Sequence, residues 1–208
     1  MRGSYEGRKS RSLSWYDPRI LNGRIFNPPA DPALLNSQRG YARGAQIMVQ
    51  RRSANGFTGW ASYSFGTSKV NDRALGLWFP SDNDQRHTVN LFASRRIRPS
   101  VNLSVKWVYG SGFPVPGFLR KDSAGYLLDS ARNQARLDPY QRLDFRANKS
   151  KVFARWKLTG FFEVVNLLNR DNYRFDTFNG YNSRTGSASV TFDKMFPILP
   201  SAGLAAEF

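Results

Sequence analysis

The sequence predicts an all-β chain, an antiparallel up-and-down meander of about seven to eight long strands. Three observations predict it. Apolar and polar residues alternate with period two in segment after segment from Tyr41 onward. The connections between those segments alternate between tight turns and long loops. The composition is rich in glycine and aromatics, with 40% of the residues hydrophobic, which suits a sheet wetted on one face.

Residues 1–40 show no period, and "NPPADP" (Asn27 to Pro32) excludes regular helix or inner strand. The expectation there is a long irregular loop with one short strand near Ser12–Tyr16. Residues 41–208 carry the strands. In "YARGAQIMVQRR", Ala45, Ile47 and Val49 oppose Gln46, Met48 and Gln50. "SANG" is a tight turn. Phe57, Ala61, Tyr63 and Phe65 then oppose Thr58, Ser62 and Ser64. Val89, Leu91, Ala93 and Ile97 oppose Thr88, Asn90, Ser94 and Arg96, and Arg95 breaks the apolar face near the next turn, "RPS". Leu103, Val105, Trp107 and Tyr109 oppose Asn102, Ser104 and Lys106. Leu143, Phe145 and Ala147 oppose Arg142, Asp144, Arg146 and Asn148. Leu158, Phe162 and Val164 oppose Lys157, Thr159 and Glu163. The terminal "SAGLAAEF" sets Ala202, Leu204, Ala206 and Phe208 against Ser201, Gly203, Ala205 and Glu207.

Tight turns are expected at Ser53–Gly56, Arg98–Ser100 and Ser150–Phe153, and long loops at Val70–Asp84, Phe113–Pro139 and Asn169–Pro200. In a meander this order puts every tight turn at one end. Outer-membrane barrels sort their loops in this way. The alternating segments also reach the roughly 9–11 residues that a tilted membrane strand needs. Aromatics fall near the ends of the apolar stripes: Trp107, Tyr109 and Tyr63 toward the long loops, Phe57 and Trp156 toward the tight turns. Such girdles mark the two bilayer interfaces, although large aromatics favour strands anywhere. On this reading Gln46, Gln50, Lys106, Arg142, Asp144, Arg146, Lys157 and Glu163 face a polar lumen.

The net charge of +16 favours anionic partners. Basic residues gather at the tight turns (Arg51, Arg52, Arg95, Arg96, Arg98, Lys149, Lys151, Arg155), where a solvated rim and a phosphate-facing rim are both acceptable. With no cysteine and one histidine, His87, no transition-metal site, cofactor or catalytic pair is expected, and the chain reads as no enzyme. No run of about 18 apolar residues occurs, and the N-terminus lacks a signal-peptide core. The alternative reading is a soluble basic β-domain that binds nucleic acid or another polyanion. Against it, the cations are spread along the chain and no nucleic-acid-binding signature occurs.

The stretches "RGYARGAQIMVQRRSANGFTGWASYSFGTSK", "DNDQRHTVNLFASRRI", "WVYGSGFPVP", "PYQRLDFRANK", "FFEVVNLLNRDNY" and "LPSAGLAAEF" together resemble, in this order, the C-terminal barrel strands of TonB-dependent outer-membrane receptors. The likeness covers about residues 36–208. It implies part of a 22-stranded transmembrane barrel in the cell outer membrane of a Gram-negative-type bacterium. It also implies a longer receptor, with a plug and N-terminal barrel strands, that takes up a large scarce substrate such as a siderophore, cobalamin or glycan. This chain alone would then be incompetent for transport. The partners implied are outer-membrane lipid, the barrel-assembly machinery, the rest of the receptor and, through it, TonB, with no nucleic acid. The terminal Leu204, Ala206 and Phe208 would be the assembly signal. Arg132, Asn133, Arg136, Asp176, Asn179, Tyr181 and Arg184 would lie on substrate-facing loops.

Overall fold

The computed structural model describes residues 3–7, 38–72 and 76–208. Among these residues the chain is strand, turn and loop without helix. Thirteen strands follow in order: β1 (Gly3–Gly7), β2 (Gln38–Ala54), β3 (Phe57–Asp72), β4 (Leu77–Pro80), β5 (His87–Arg98), β6 (Val101–Gly110), β7 (Leu119–Asp122), β8 (Gly125–Leu128), β9 (Tyr140–Val152), β10 (Lys157–Val165), β11 (Tyr173–Tyr181), β12 (Ala188–Lys194) and β13 (Leu199–Glu207).

One antiparallel sheet dominates. Its order is β1-β2-β3-β5-β6-β9-β10-β13, with β4 on the far end of β3. The seven alternating segments are β2, β3, β5, β6, β9, β10 and β13, and each pairs with the next. The shortest of them has 9 residues. Antiparallel order therefore puts the three tight turns on one rim and the three long connections on the other. Among the described residues β1 and β13 do not pair with each other, and no closed barrel is formed.

The first tight turn is Asn55-Gly56, with φ of 54° and 71°. Both residues in the left-handed region mark the type I′ geometry whose twist matches a hairpin, hence Asn-Gly. The second is Pro99-Ser100. The third lies later than the expected Ser150–Phe153. β9 runs on to Val152, because Lys151 pairs with Leu158 and Val152 with Lys157. The chain reverses over 153–156, closed by Phe153 N donating to the Trp156 carbonyl at 2.7 Å.

Within residues 1–40 the described pieces, Gly3–Gly7 and Gln38–Gly40, are both extended, where the sequence suggests an irregular loop. Ser12–Tyr16 lies outside the described residues. The long connections hold five strands that the sequence reading leaves as loop: β4, the β7–β8 hairpin and the β11–β12 hairpin. The two hairpins pack together around Val115, Leu119 and Ala135, each at most 2% exposed, with Leu128, Phe175, Val190 and Phe192 against them. Leu128 N donates to the Gly186 carbonyl and ties one hairpin to the other.

Candidate functional site

Residues directly opposite in a ladder share a face. The rows therefore fix what each face of the sheet carries. One row reads Ile47, Tyr63, Val89, Tyr109, Gln141. The next reads Val49, Ala61, Leu91, Trp107, Leu143. Further along, Ala93, Val105, Phe145, Val164 and Pro200 align, and Phe162 and Ala202 follow beside Ala147. This face is apolar from β2 to β13.

It is also the exposed face. Ile47 is 63% exposed, Val49 66%, Phe162 47% and Leu204 76%. Of the six buried hydrophobic residues, only Val164 belongs to the seven long strands; Phe79, Val115, Phe118, Leu119 and Ala135 lie in the long connections. No second layer covers the sheet among the described residues.

The opposite face is mainly polar, with Met48, Trp60, Phe92, Val108 and Phe161 among its polar side chains, and it is the more enclosed one on β3 and β5. Gln46, Gln50, Lys106, Arg142, Asp144, Arg146, Lys157 and Glu163 all fall on it by register. Ser62 and Asp144 are buried there. Arg146 Nη1 meets Glu163 Oε2 at 3.0 Å, and its guanidinium lies 4.4 Å from the Phe161 ring centre. Phe161 in turn sits over Gly203, where a Cβ would come within 2.7 Å of the ring. A side chain at 203 would displace that ring and its cation. Lys157 Nζ pairs with Glu207 at 3.0 Å, which ties β10 to β13. A groove here is lined by Ser104, Lys106, Arg142, Asp144, Arg146 and Glu163 together with the apolar Phe92, Val105, Phe145, Val165, Phe196 and Leu199.

The aromatic residues divide between the rims. Trp107 and Tyr109 stack toward the long connections with ring centres 6.1 Å apart, and Tyr63 lies in the Tyr109 row. His87 joins them: the Tyr63 hydroxyl is 2.9 Å from His87 Nδ1, and the Phe65 ring lies 5.2 Å from the imidazole. At the other rim, Phe153 stacks on Trp156 at 4.2 Å, and Trp156 on Phe208 at 6.4 Å. Phe57 opens β3 there, under the Arg51 guanidinium.

"NLLNRDNY" has a mechanical role. Asn166 leaves β10 with φ of 54°, in the region where asparagine is tolerated among L-residues. Its amide nitrogen donates to the Arg170 and Phe196 carbonyls at 3.0 and 3.1 Å, and its backbone N–H donates to Asp144. Asn169 Oδ1 accepts from Ile198 N at 2.9 Å. Asn172 exchanges two bonds with the Gln141 backbone at 2.9 and 2.8 Å. Three asparagines thus lock the exit of β10 to β9 and to the approach of β13. Asn166→Ala should cost about 3 kcal/mol, from left-handed strain and unmet buried bonds. Asn166→Gly should recover the strain share alone. Urea midpoints of the two variants check this.

The candidate loop residues separate into two groups. Arg132 and Asn133 are buried. Asn133 donates to the Pro80 carbonyl and to Asp82, both at 2.7 Å, and its backbone bonds Gly117. Arg136 pairs with Asp84 and donates to the Asp84 and Gly112 carbonyls at 2.7 and 3.0 Å. These three hold the 113–139 connection onto the 79–84 loop and present little to a ligand. Asp176, Asn179, Tyr181 and Arg184 are exposed on β11 and the turn after it. Asp84 is the hub of the clamp. Burial pushes its carboxyl up, but the Ser68 N–H at 2.6 Å and the Arg136 and Arg86 guanidiniums outweigh that, so its pKa lies below the ordinary value.

Neither Asp82 nor Asp84 hydrogen-bonds His87 among the described residues; both are engaged by the clamp. No group of three potential metal ligands occurs among them either.

No family model, curated protein or solved structure matches this chain.

Sequence reasoning passed over the Asp84–Arg136 clamp, the stacking partner Phe153 and the role of the asparagines. The asparagine lock leaves a readable trace, three asparagines at intervals of three residues after a strand. The clamp leaves none, because Asp84 and Arg136 are 52 residues apart.

Proposed function

We propose that the chain forms part of the wall of a transmembrane β-barrel in an outer membrane, of the TonB-dependent receptor type. In that reading the receptor takes up a large scarce substrate of siderophore, cobalamin or glycan type. The strands described here serve as wall and outer loops, and they catalyse no reaction. One observation carries it: the apolar parity of the long strands lies open, with Ile47, Val49, Tyr63, Leu91, Val105, Phe162 and Leu204 exposed, and among the described residues no second layer covers it. Water disfavours that arrangement by about 25 cal/mol per Å² of apolar surface, and lipid favours it. Among the described residues β13 pairs with β10 alone. An unpaired backbone edge in lipid costs several kcal/mol per group, so a sheet in a membrane needs further strands. The six motif stretches supply the receptor type, and the exposed Asp176, Asn179, Tyr181 and Arg184 supply polar groups for a ligand.

Cell fractionation tests the reading. A receptor that contains these strands should pellet with the outer membrane, resist extraction by urea, and migrate faster on gels when unheated. Recovery as a soluble protein that binds polyanions would contradict it.

Deleting Phe208 in that receptor should lower the inserted amount severalfold. Phe208 is 99% exposed and touches Trp156, so packing explains little of such a loss. Full loss of its burial against lipid is worth only about 2–3 kcal/mol, small for a sheet of many strands. Insertion at the wild-type level would show that this ring packs and does not signal assembly.

A further inference from the structure

The apolar face ends differently at its two rims. Toward the long connections it ends in aromatic rings. Toward the tight turns it carries cations as well as rings such as Phe57 and Phe208. On β2 the apolar parity runs Ala45, Ile47, Val49, Arg51. On β5 it runs Val89, Leu91, Ala93, Arg95. On β9 it runs Leu143, Phe145, Ala147, Lys149, Lys151. These are the three strands that lead into the tight turns. Each apolar stripe therefore carries, near the same rim, a positive charge on its own parity; on β5 the exposed Ile97 follows Arg95 before the turn.

All four cations are exposed, as are Arg52, Arg96, Arg98 and Arg155 around them. Among the described residues, no carboxylate side chain pairs with any of the eight. Glu207, the one acidic side chain on this rim among the described residues, is taken by Lys157. A rim that met only water would accept these cations on either parity. A bilayer explains the placement. Long basic side chains lay their stems along apolar surface and carry the charge to the headgroup level. Aromatic rings belong at that same depth. The Arg51 guanidinium lies 5.4 Å from the Phe57 ring centre, and Lys151 Nζ lies 5.1 Å from that of Phe153.

We propose that this rim binds the phosphate groups of anionic phospholipids in the adjacent bilayer leaflet, with Arg51, Arg95, Lys149 and Lys151 as the contacts. The inference rests on the reading that the apolar face meets lipid. The complementarity is specific in kind. A phosphodiester offers two anionic oxygens, arginine can donate to both at once, and lysine supplies a point charge. Attraction of this type falls off within a Debye length, so only cations held at the rim itself contribute fully.

The test uses a receptor that contains these strands, refolded with vesicles and separated by flotation. Vesicles of phosphatidylcholine alone are compared with vesicles that also contain phosphatidylglycerol. Phosphatidylglycerol should raise binding, and high salt should abolish the increase. Arg95→Gln with Lys149→Gln should reduce the increase by about tenfold or more, since each cation near an anionic surface contributes about fivefold. The same double variant should bind phosphatidylcholine as the parent does, which shows that it still folds and inserts. Arg120→Gln with Arg170→Gln removes the same charge elsewhere and should leave the increase intact. Equal loss from both doubles would mean that net charge alone attracts the chain, and would overturn the proposal. So would equal binding to both vesicle types, which would leave the lipid-facing reading standing. Binding to neither would defeat that reading itself.

Discussion

Placing arginine at both Leu91 and Val105 should abolish stable insertion into a bilayer. Both side chains are 40% exposed, on neighbouring strands, in the middle of the apolar face. Charge at the midplane of a lipid-facing strand costs about 2–4 kcal/mol per residue. Two such residues therefore cost about 6 kcal/mol, or roughly a ten-thousandfold shift at 1.4 kcal/mol per factor of ten. Asn90→Arg and Ser104→Arg stand one residue away on the opposite face and should cost little. The fraction inserted into vesicles, read by the heat-modifiable gel shift, compares the pairs. If water covered the apolar face, the first pair would instead be harmless and would improve solubility.

The next largest effect is expected at Asp84. Its side chain is 2% exposed and faces Arg136, which is itself partly buried. Asp84→Asn keeps the shape and removes the charge. Breaking a buried pair on one side costs about 3–5 kcal/mol, because the remaining ion has no counter-charge. The loss should be local. The 113–139 connection should become open to proteases while the seven long strands stay paired. Acid should do the same to the parent chain. The folded pKa of Asp84 lies below its unfolded value, so its contribution is complete above the unfolded pKa of about 4 and disappears as pH falls through the folded one. Asp84→Asn should show no such acid step. Proteolysis of the connection across that range, with both proteins, checks the sign as well as the size.

The long strands were legible because one physical rule governs each of them. Apolar parity fixes the face, and the face fixes the register. From Gln46 to Glu163, every residue assigned to the polar side falls there by ladder pairing. The tight turn Asn55-Gly56 was legible through its conformational demand. The reversal at 153–156 was misplaced because "NKSK" looks like polar turn chemistry, whereas Lys149 and Lys151 continue the outward parity of β9. The loop strands were hidden for other reasons. β11 carries register shifts between Phe175 and Thr177 and between Phe178 and Gly180, which break the period. β7 and β8 are four residues each, too short to show one. Arg132, Asn133 and Arg136 read as ligand-facing because polar loop residues usually meet water. Their burial depends on the clamp to the 79–84 loop and on the hairpin core of Val115 and Leu119, contacts distant in sequence.

The central claim is that the apolar parity faces lipid. A scan of nitroxide labels along β6 tests it most directly, since the chain has no cysteine of its own. Single cysteines at Asn102, Leu103, Ser104, Val105 and Lys106 would be labelled in the bilayer-inserted protein. Collision with oxygen, which concentrates in lipid, and with a water-soluble nickel chelate would be measured at each site. The account predicts high oxygen accessibility at 103 and 105, and higher chelate accessibility at 102, 104 and 106. Chelate accessibility at 103 and 105 equal to or above that of their neighbours would contradict it.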